Sequence, residues 1–179
     1  GYPGSDHHIC GHVMSGPGSR PYIAGRGIGR WVWAPYTPHP CPIVLSDAEI
    51  DFGKAARGAV LLAPAIKPTA SPNKLWPLAR WQELARILRE RGHRVLQLGQ
   101  PDAGDTVLDR APRLDCPTLW HAAAAIEACD CLVTHEGALH HIAAGLDDAR
   151  SVVIMGGFIS PKQTGYGLAK QAYLFTGHE

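Results

Sequence analysis

The chain has 179 residues, 45% hydrophobic and 18% charged, with 17 Lys+Arg against 16 Asp+Glu for a formal net charge of +1. That length holds one domain with a real core and a smaller appendage. The balanced charge speaks against a nucleic-acid partner, which needs an excess of cations to displace counterions. No apolar run approaches the ~20 residues that span a bilayer.

Residues 1–45 differ in character from the rest of the chain. They carry seven of the 15 prolines and eight of the 20 glycines, together with Tyr22, Trp31, Trp33 and Tyr36, and they show no helical period. The segment reads as irregular loop pinned by aromatic anchors. Its exposed aromatics are a surface able to pack against a second copy in a homodimer. The run DHHICGH (6–12) gathers His7, His8, Cys10 and His12. These are metal-ligand types, but no partner set follows them, so the cluster is read as fortuitous and no metal site is assigned. Ser46 and Glu49 have the spacing of a capping box, which predicts a short helix from there to about Ala56. The first 57 residues therefore form an irregular Pro/Gly/aromatic segment ending in a short helix.

From Gly58 the pattern turns regular. AVLLAP (59–64) is the continuous apolar run of a strand buried on both faces. After the polar loop 65–76, Pro77 suits a first helical position. Leu78, Trp81, Leu84, Ala85 and Leu88 recur at helical spacing, and Gly92 supplies the stop. RVLQLG (94–99) is the next strand and PDAGD (101–105) a turn. Thr118 caps a helix running to Ala128, and CLVTH (131–135) is a strand. Gly137–Leu146 is a short helix, and SVVIMGG (151–157) and AYLFTG (172–177) are the last two strands.

Strand and helix alternate over residues 58–179, which predicts an α/β domain: a parallel sheet of about five to six strands with helices on both faces. Ligands of such sheets bind outside the carboxyl ends of the strands. Three loops lie there. KPTASPNK (67–74) offers Lys67, Thr69, Ser71, Asn73 and Lys74 just before a helix, which suits phosphate. In VTHEGALHH (133–141), Gly137 permits a tight turn and a helix begins at once. The amides of Gly137, Ala138 and Leu139 are expected to face a diphosphate there. Glu136 is placed to accept ribose hydroxyls, and one of His140 and His141 to face the cleft. In GGFISPKQTGY (156–166), Gly156 and Gly157 let backbone approach a ligand, and Ser160, Lys162, Gln163 and Thr164 are candidate donors. The five cysteines (Cys10, Cys41, Cys116, Cys129 and Cys131) are odd in number and irregular in spacing. This reads as a reduced, cytoplasmic protein without structural disulfides.

The order of these pieces resembles the carboxyl half of glycosyltransferase family 9, the bacterial lipopolysaccharide heptosyltransferases. The likeness rests on Lys74 just before Trp76-Pro77, a helix opening Thr118-Leu119, the run Val133 to Ala144, and Gly156-Gly157-Phe158-Ile159-Ser160-Pro161. It covers about residues 58–179. The resemblance implies the Rossmann-like half of a two-domain GT-B fold that binds a nucleotide diphosphate sugar donor, without need of a metal or other cofactor. Thr69 and Lys74 fall where the family's loop touches donor phosphate and ribose. The family's Asp-Ser-Gly-Pro-Met-His run is similar to residues 135–140, with Gly137 and His140 matching and His135 in the place of the aspartate.

The donor site implied by these matches comprises Thr69, Ser71, Lys74, Glu136, Gly137, Ala138, Leu139, His140, Gly156, Gly157 and Ser160. The resemblance also implies a glycan or lipid-linked acceptor for cell-envelope synthesis, and a cytoplasmic enzyme at most peripheral to the inner membrane. In the family the amino half binds the acceptor and supplies an aspartate base. Only about 57 residues precede the donor-type domain here, so the chain reads as a piece of a longer enzyme or a shortened relative. Catalytic candidates are His135, Glu136 and His140, none assigned as the base. Two other readings stay open: a nucleotide-binding module without catalysis, and a nucleotide-sugar epimerase of the same half-fold.

Overall fold

A computed structural model of the chain describes residues 39–66, 74–99, 107–156 and 160–175, apart from the side chain at position 163. The aromatic and histidine-rich segment before residue 39 lies outside them, as do Lys67, Thr69, Ser71, Asn73 and Gly157.

Among the described residues, six strands form one sheet: β1 (Ala59–Ala63), β2 (Arg94–Gly99), β3 (Arg113–Asp115), β4 (Cys131–His135), β5 (Ser151–Ile154) and β6 (Gln171–Leu174). The helices are α1 (Asp47–Gly53, continued by a 3-10 turn at Lys54–Ala56), α2 (Leu78–Glu90), α3 (Leu119–Ala128), α4 (Ala138–Gly145) and α5 (Pro161–Thr164). The sheet order is β3-β2-β1-β4-β5-β6 and every pairing is parallel. Strand order thus reverses between β1 and β4, which lie side by side with Val60 opposite Cys131 and Ala63 opposite Thr134.

Alternation along β1 divides the core in two. Ala59, Leu61 and Ala63 join Leu96, Leu98 and Leu132 beneath α3 and α4. Val60 and Leu62 join Val95, Val133 and Ile154 beneath Trp81 and Ala85 of α2. A strand buried on both faces is apolar throughout, which is why β1 reads as an unbroken hydrophobic run. The helices on both faces agree with the predicted fold class.

Local signals place most element ends. Ser46 Oγ accepts from the Glu49 amide and Glu49 Oε2 from the Ser46 amide, so the predicted capping box is present. Thr118 caps α3 by accepting from the His121 amide. Pro77 is the N-cap of α2 rather than its first helical residue.

Two elements had no sequence signal. β3 is three residues long, exposed at Arg113 and Asp115, and exists because Leu114 pairs with Leu98 of β2. α5 is a single turn. Of the predicted strands at 151–157 and 172–177, the described residues form strand over Ser151–Ile154 and Gln171–Leu174, while residues 157, 176 and 177 lie outside the described residues.

Some of the described residues before Gly58 share this core. Ile43, Leu45 and Phe52 pack on the α3–α4 side, and the Ile43 amide donates to the Gly145 carbonyl at 3.1 Å. α1 lies so close to the alanine row Ala122–Ala125 of α3 that a Cβ on Gly53 would collide with the Ala124 carbonyl. Ala has the higher helix propensity by roughly 1 kcal/mol, yet here backbone is the obstacle and cannot rotate away. Gly53→Ala is therefore expected to lower the unfolding free energy by about 1–3 kcal/mol in urea titration. A variant as stable as the parent would refute this account of the α1–α3 contact.

Candidate functional site

The loops after β1 and β4 leave the sheet where its strand order reverses, and they diverge toward helices on opposite faces. Ligands of parallel sheets bind outside the carboxyl ends of the strands at such a point. Lys74 and Glu136, singled out on separate loops, meet there: Lys74 Nζ lies 2.5 Å from Glu136 Oε2. The lysine side chain is 31% exposed and the carboxylate 10%. The Glu136 amide donates to the Ile154 carbonyl at 3.0 Å, so this turn stays tied to β5.

Gly137 is the N-cap of α4 and has φ 157 and ψ −158. This is a region that glycine enters at little cost and other residues rarely do. Open space surrounds the position where a Cβ would stand, so the requirement for glycine is conformational and not steric. The N-terminal amides of α4 have no carbonyl partner within the helix by geometry alone. Contrary to the expectation from sequence, the Gly137 amide does not face outward: it donates to His140 Nδ1 at 3.3 Å. Of the three amides expected to face outward, Gly137's is therefore engaged within the turn.

His140 is fully buried. Its Nδ1 accepts from Gly137, so Nε2 carries the proton and donates to the Thr164 carbonyl at 3.2 Å. The His140 carbonyl accepts from Gln171 Nε2 at 3.0 Å, and Gln171 Oε1 accepts from the Tyr173 hydroxyl at 2.7 Å. The Tyr166 amide donates to that same hydroxyl, and Tyr166 OH sits 2.8 Å from His141 Nδ1. The chain of contacts fastens α4 to the 164–166 segment and to β6. Of the two histidines, His140 is the packed one.

His135 ends β4 and is 3% exposed. Its Nε2 accepts the Trp76 amide at 2.9 Å. The neutral ring therefore holds its proton on Nδ1, which is buried without a partner among the described residues. Trp81 meets the His135 ring edge-on at 5.2 Å and Trp76 at 5.1 Å. Burial in this apolar setting pushes the His135 pKa down to about 4.

Gly156 follows β5, half-buried. Ser160 Oγ accepts the Lys162 amide at 3.2 Å at the start of α5. The structure thus brings together Lys74, Glu136 and the α4 N-terminus, and turns His135 and His140 inward. Trp76, Gln171 and Tyr173 support this arrangement and were not singled out for the site. The Trp-Pro pair before α2 was the one available signal, since a bulky aromatic beside an N-cap needs somewhere to pack. Among the described residues, no group of three or more His, Cys, Asp or Glu could hold a metal ion.

The sequence model of glycosyltransferase family 9 (heptosyltransferase) matches residues 43–178. No curated protein sequence matches the chain. Among solved structures, a glycosyl transferase family 9 protein from Veillonella parvula DSM 2008 is similar with a TM-score of 0.64 at 19% identity. That likeness covers 77% of this chain and 44% of the other. The E. coli ADP-heptose lps heptosyltransferase II is similar with a TM-score of 0.60 at 22% identity, over 81% of this chain and 46% of that one. An E. coli heptosyltransferase with ADP gives 0.55 at 21% identity, over 66% and 38%. The chain thus spans less than half the length of these structures, and the likeness establishes a shared fold.

The buried His135 makes stability depend on pH. Near neutral pH neither the folded nor the unfolded state holds the ring proton. As pH falls from about 6.5 toward 4, the unfolded chain takes it up first and the native state loses roughly 3 kcal/mol from this group. Urea titrations between pH 7 and 4 should show that slope, diminished by about this amount in His135→Gln. Equal slopes in both proteins would refute the assignment.

Proposed function

The chain belongs to glycosyltransferase family 9, the heptosyltransferase family, and on that premise we propose that it forms the donor-binding half of a glycosyltransferase using a nucleotide diphosphate sugar. The observation that carries the reading is the meeting of Lys74 and Glu136 at the point of strand-order reversal, beside the N-terminus of α4. In a parallel sheet this is where nucleotides bind, and each group has a use there. The ammonium and the amides of Ala138 and Leu139 offer positive charge to a diphosphate. Glu136 offers oxygens to ribose or sugar hydroxyls.

The chemistry follows from charge. When the glycosidic bond to the donor breaks, negative charge grows on the leaving diphosphate. Fixed donors already aimed at that position stabilise the transition state more than the ground state. Lys74 and the α4 amides take this part, and Thr69 joins them by resemblance. No metal is called for in this scheme. Deprotonation of the acceptor hydroxyl requires a base with a free lone pair. Neither His135 nor His140 offers one to the cleft, since each ring nitrogen that accepts is already bonded to a backbone amide. The same engagement weighs against an epimerase, which needs an acid and a base in the cleft.

Two of the similar structures are named for ADP or ADP-heptose, which makes ADP the first ligand to try and an ADP-linked heptose the donor we favour. A glycan or lipid-linked acceptor of the cell envelope, and a cytoplasmic site of action, complete the proposal. No helix among the described residues is long and apolar enough to cross a membrane.

Calorimetric titration with ADP tests the reading. The chain should bind ADP, and Lys74→Ala should weaken binding at least tenfold, about 1.4 kcal/mol. Gly137→Ala, which strains the turn that presents the α4 amides, should weaken it comparably. No ADP binding, or unchanged affinity in Lys74→Ala, would overturn the proposed donor site.

A further inference from the structure

Lys74 lies between β1 and α2, four residues before the first helical position, Leu78. What pins it is a bond to another strand. Two residues beyond Lys74, the Trp76 amide donates to His135 Nε2, 59 positions away in sequence. An anchored Trp76 confines the Lys74 backbone to within about two Cα–Cα steps, roughly 7 Å. Trp76 also packs edge-on against Trp81, which is 1% exposed and itself meets the His135 ring. The next residue in β4's direction is Glu136, whose backbone is fastened to β5 and whose carboxylate takes the Lys74 ammonium. One dipeptide, His135-Glu136, therefore sets both the height of the lysine's backbone and the point where its charge comes to rest.

We infer that His135 is a positioning residue for Lys74: as a neutral acceptor it holds the Trp76 amide, and through it the ammonium that meets the donor diphosphate. The role assigned to Lys74 rests on the function proposed above. His135 itself touches no reacting atom. The ring stands where the resembling family places an aspartate. This imidazole is committed to the backbone of the facing segment. The buried Nδ1, without a partner among the described residues, fits the same role, because the tautomer that leaves it protonated is the one that frees Nε2 to accept.

The test compares His135→Phe with His135→Gln. Phenylalanine keeps the edge contact with Trp81 but has no acceptor, while the glutamine Oε1 stands about where Nε2 was. His135→Phe should lose at least tenfold in ADP affinity by calorimetry, and the Trp76 amide should exchange with deuterium at least tenfold faster. His135→Gln should restore both. Lys74→Ala should then cost little further ADP affinity in the His135→Phe background, which general destabilisation would not produce. If His135→Phe does not fold, His135→Leu takes its place in the comparison.

Wild-type affinity in the folded acceptor-free variant, or Trp76 exchange unchanged in it, overturns the inference. A wild-type chain that ignores ADP sinks the nucleotide reading alone. The positioning role is then judged by the Trp76 exchange and by whether the Lys74–Glu136 contribution to stability, measured by a double-mutant cycle, vanishes in His135→Phe.

Discussion

β1 and β4 lie side by side, parallel, yet feed helices on opposite faces of the sheet. The two loops thus leave adjacent strands in opposite directions. Lys74 on one and Glu136 on the other meet between them. The Coulombic attraction between them is strengthened by partial burial, since the carboxylate is mostly withdrawn from water. An ion pair formed there is also a contact that the proposed diphosphate ligand would have to share or displace.

Around this pair the polar groups divide by direction. The His135 and His140 rings point into the body, each accepting a backbone amide and each thereby held in one tautomer. Buried imidazoles used in this way act as connectors between chain segments: His135 joins β4 to the segment before α2, and His140 joins the α4 N-cap to the last residue of α5. With the Gly137 amide consumed internally, the α4 terminus presents fewer free donors than its position alone suggests. The network through Gln171, Tyr173 and Tyr166 then makes α4 and the 160–166 loop one unit. Three loops scattered over a hundred residues are locked to one another by side-chain-to-backbone bonds, which suits a site that must present charge in a fixed place.

The amino-terminal helix shows a second way in which small residues shape the molecule. Four consecutive alanines on α3 and Gly53 on α1 permit an approach that any Cβ on Gly53 would block. The described body therefore begins well before the first strand, with Ile43, Leu45 and Phe52 closing the α3–α4 side of the core.

Much of the fold was legible in the sequence, for reasons that are local. A strand buried on both faces must be apolar throughout, so β1 announced itself; Ser46, Thr118 and Gly92 carry their cap and stop signals in their own chemistry; a glycine between a strand and a helix marks a turn that needs φ values other residues avoid. These determined the α/β class, the alternation, and the three loops at the strand ends. What the tertiary structure alone decided is what touches what. β3 exists because β2 offers it hydrogen bonds, and three residues with one leucine carry no period of their own. The direction of a histidine side chain at a strand end depends on whether an acceptor is wanted by a backbone amide 59 residues away, and no property of the sequence around His135 encodes that. Partnership across such distances is set by how the sheet is ordered, and it engages the His135 and His140 rings with backbone amides while bringing Lys74 and Glu136 together.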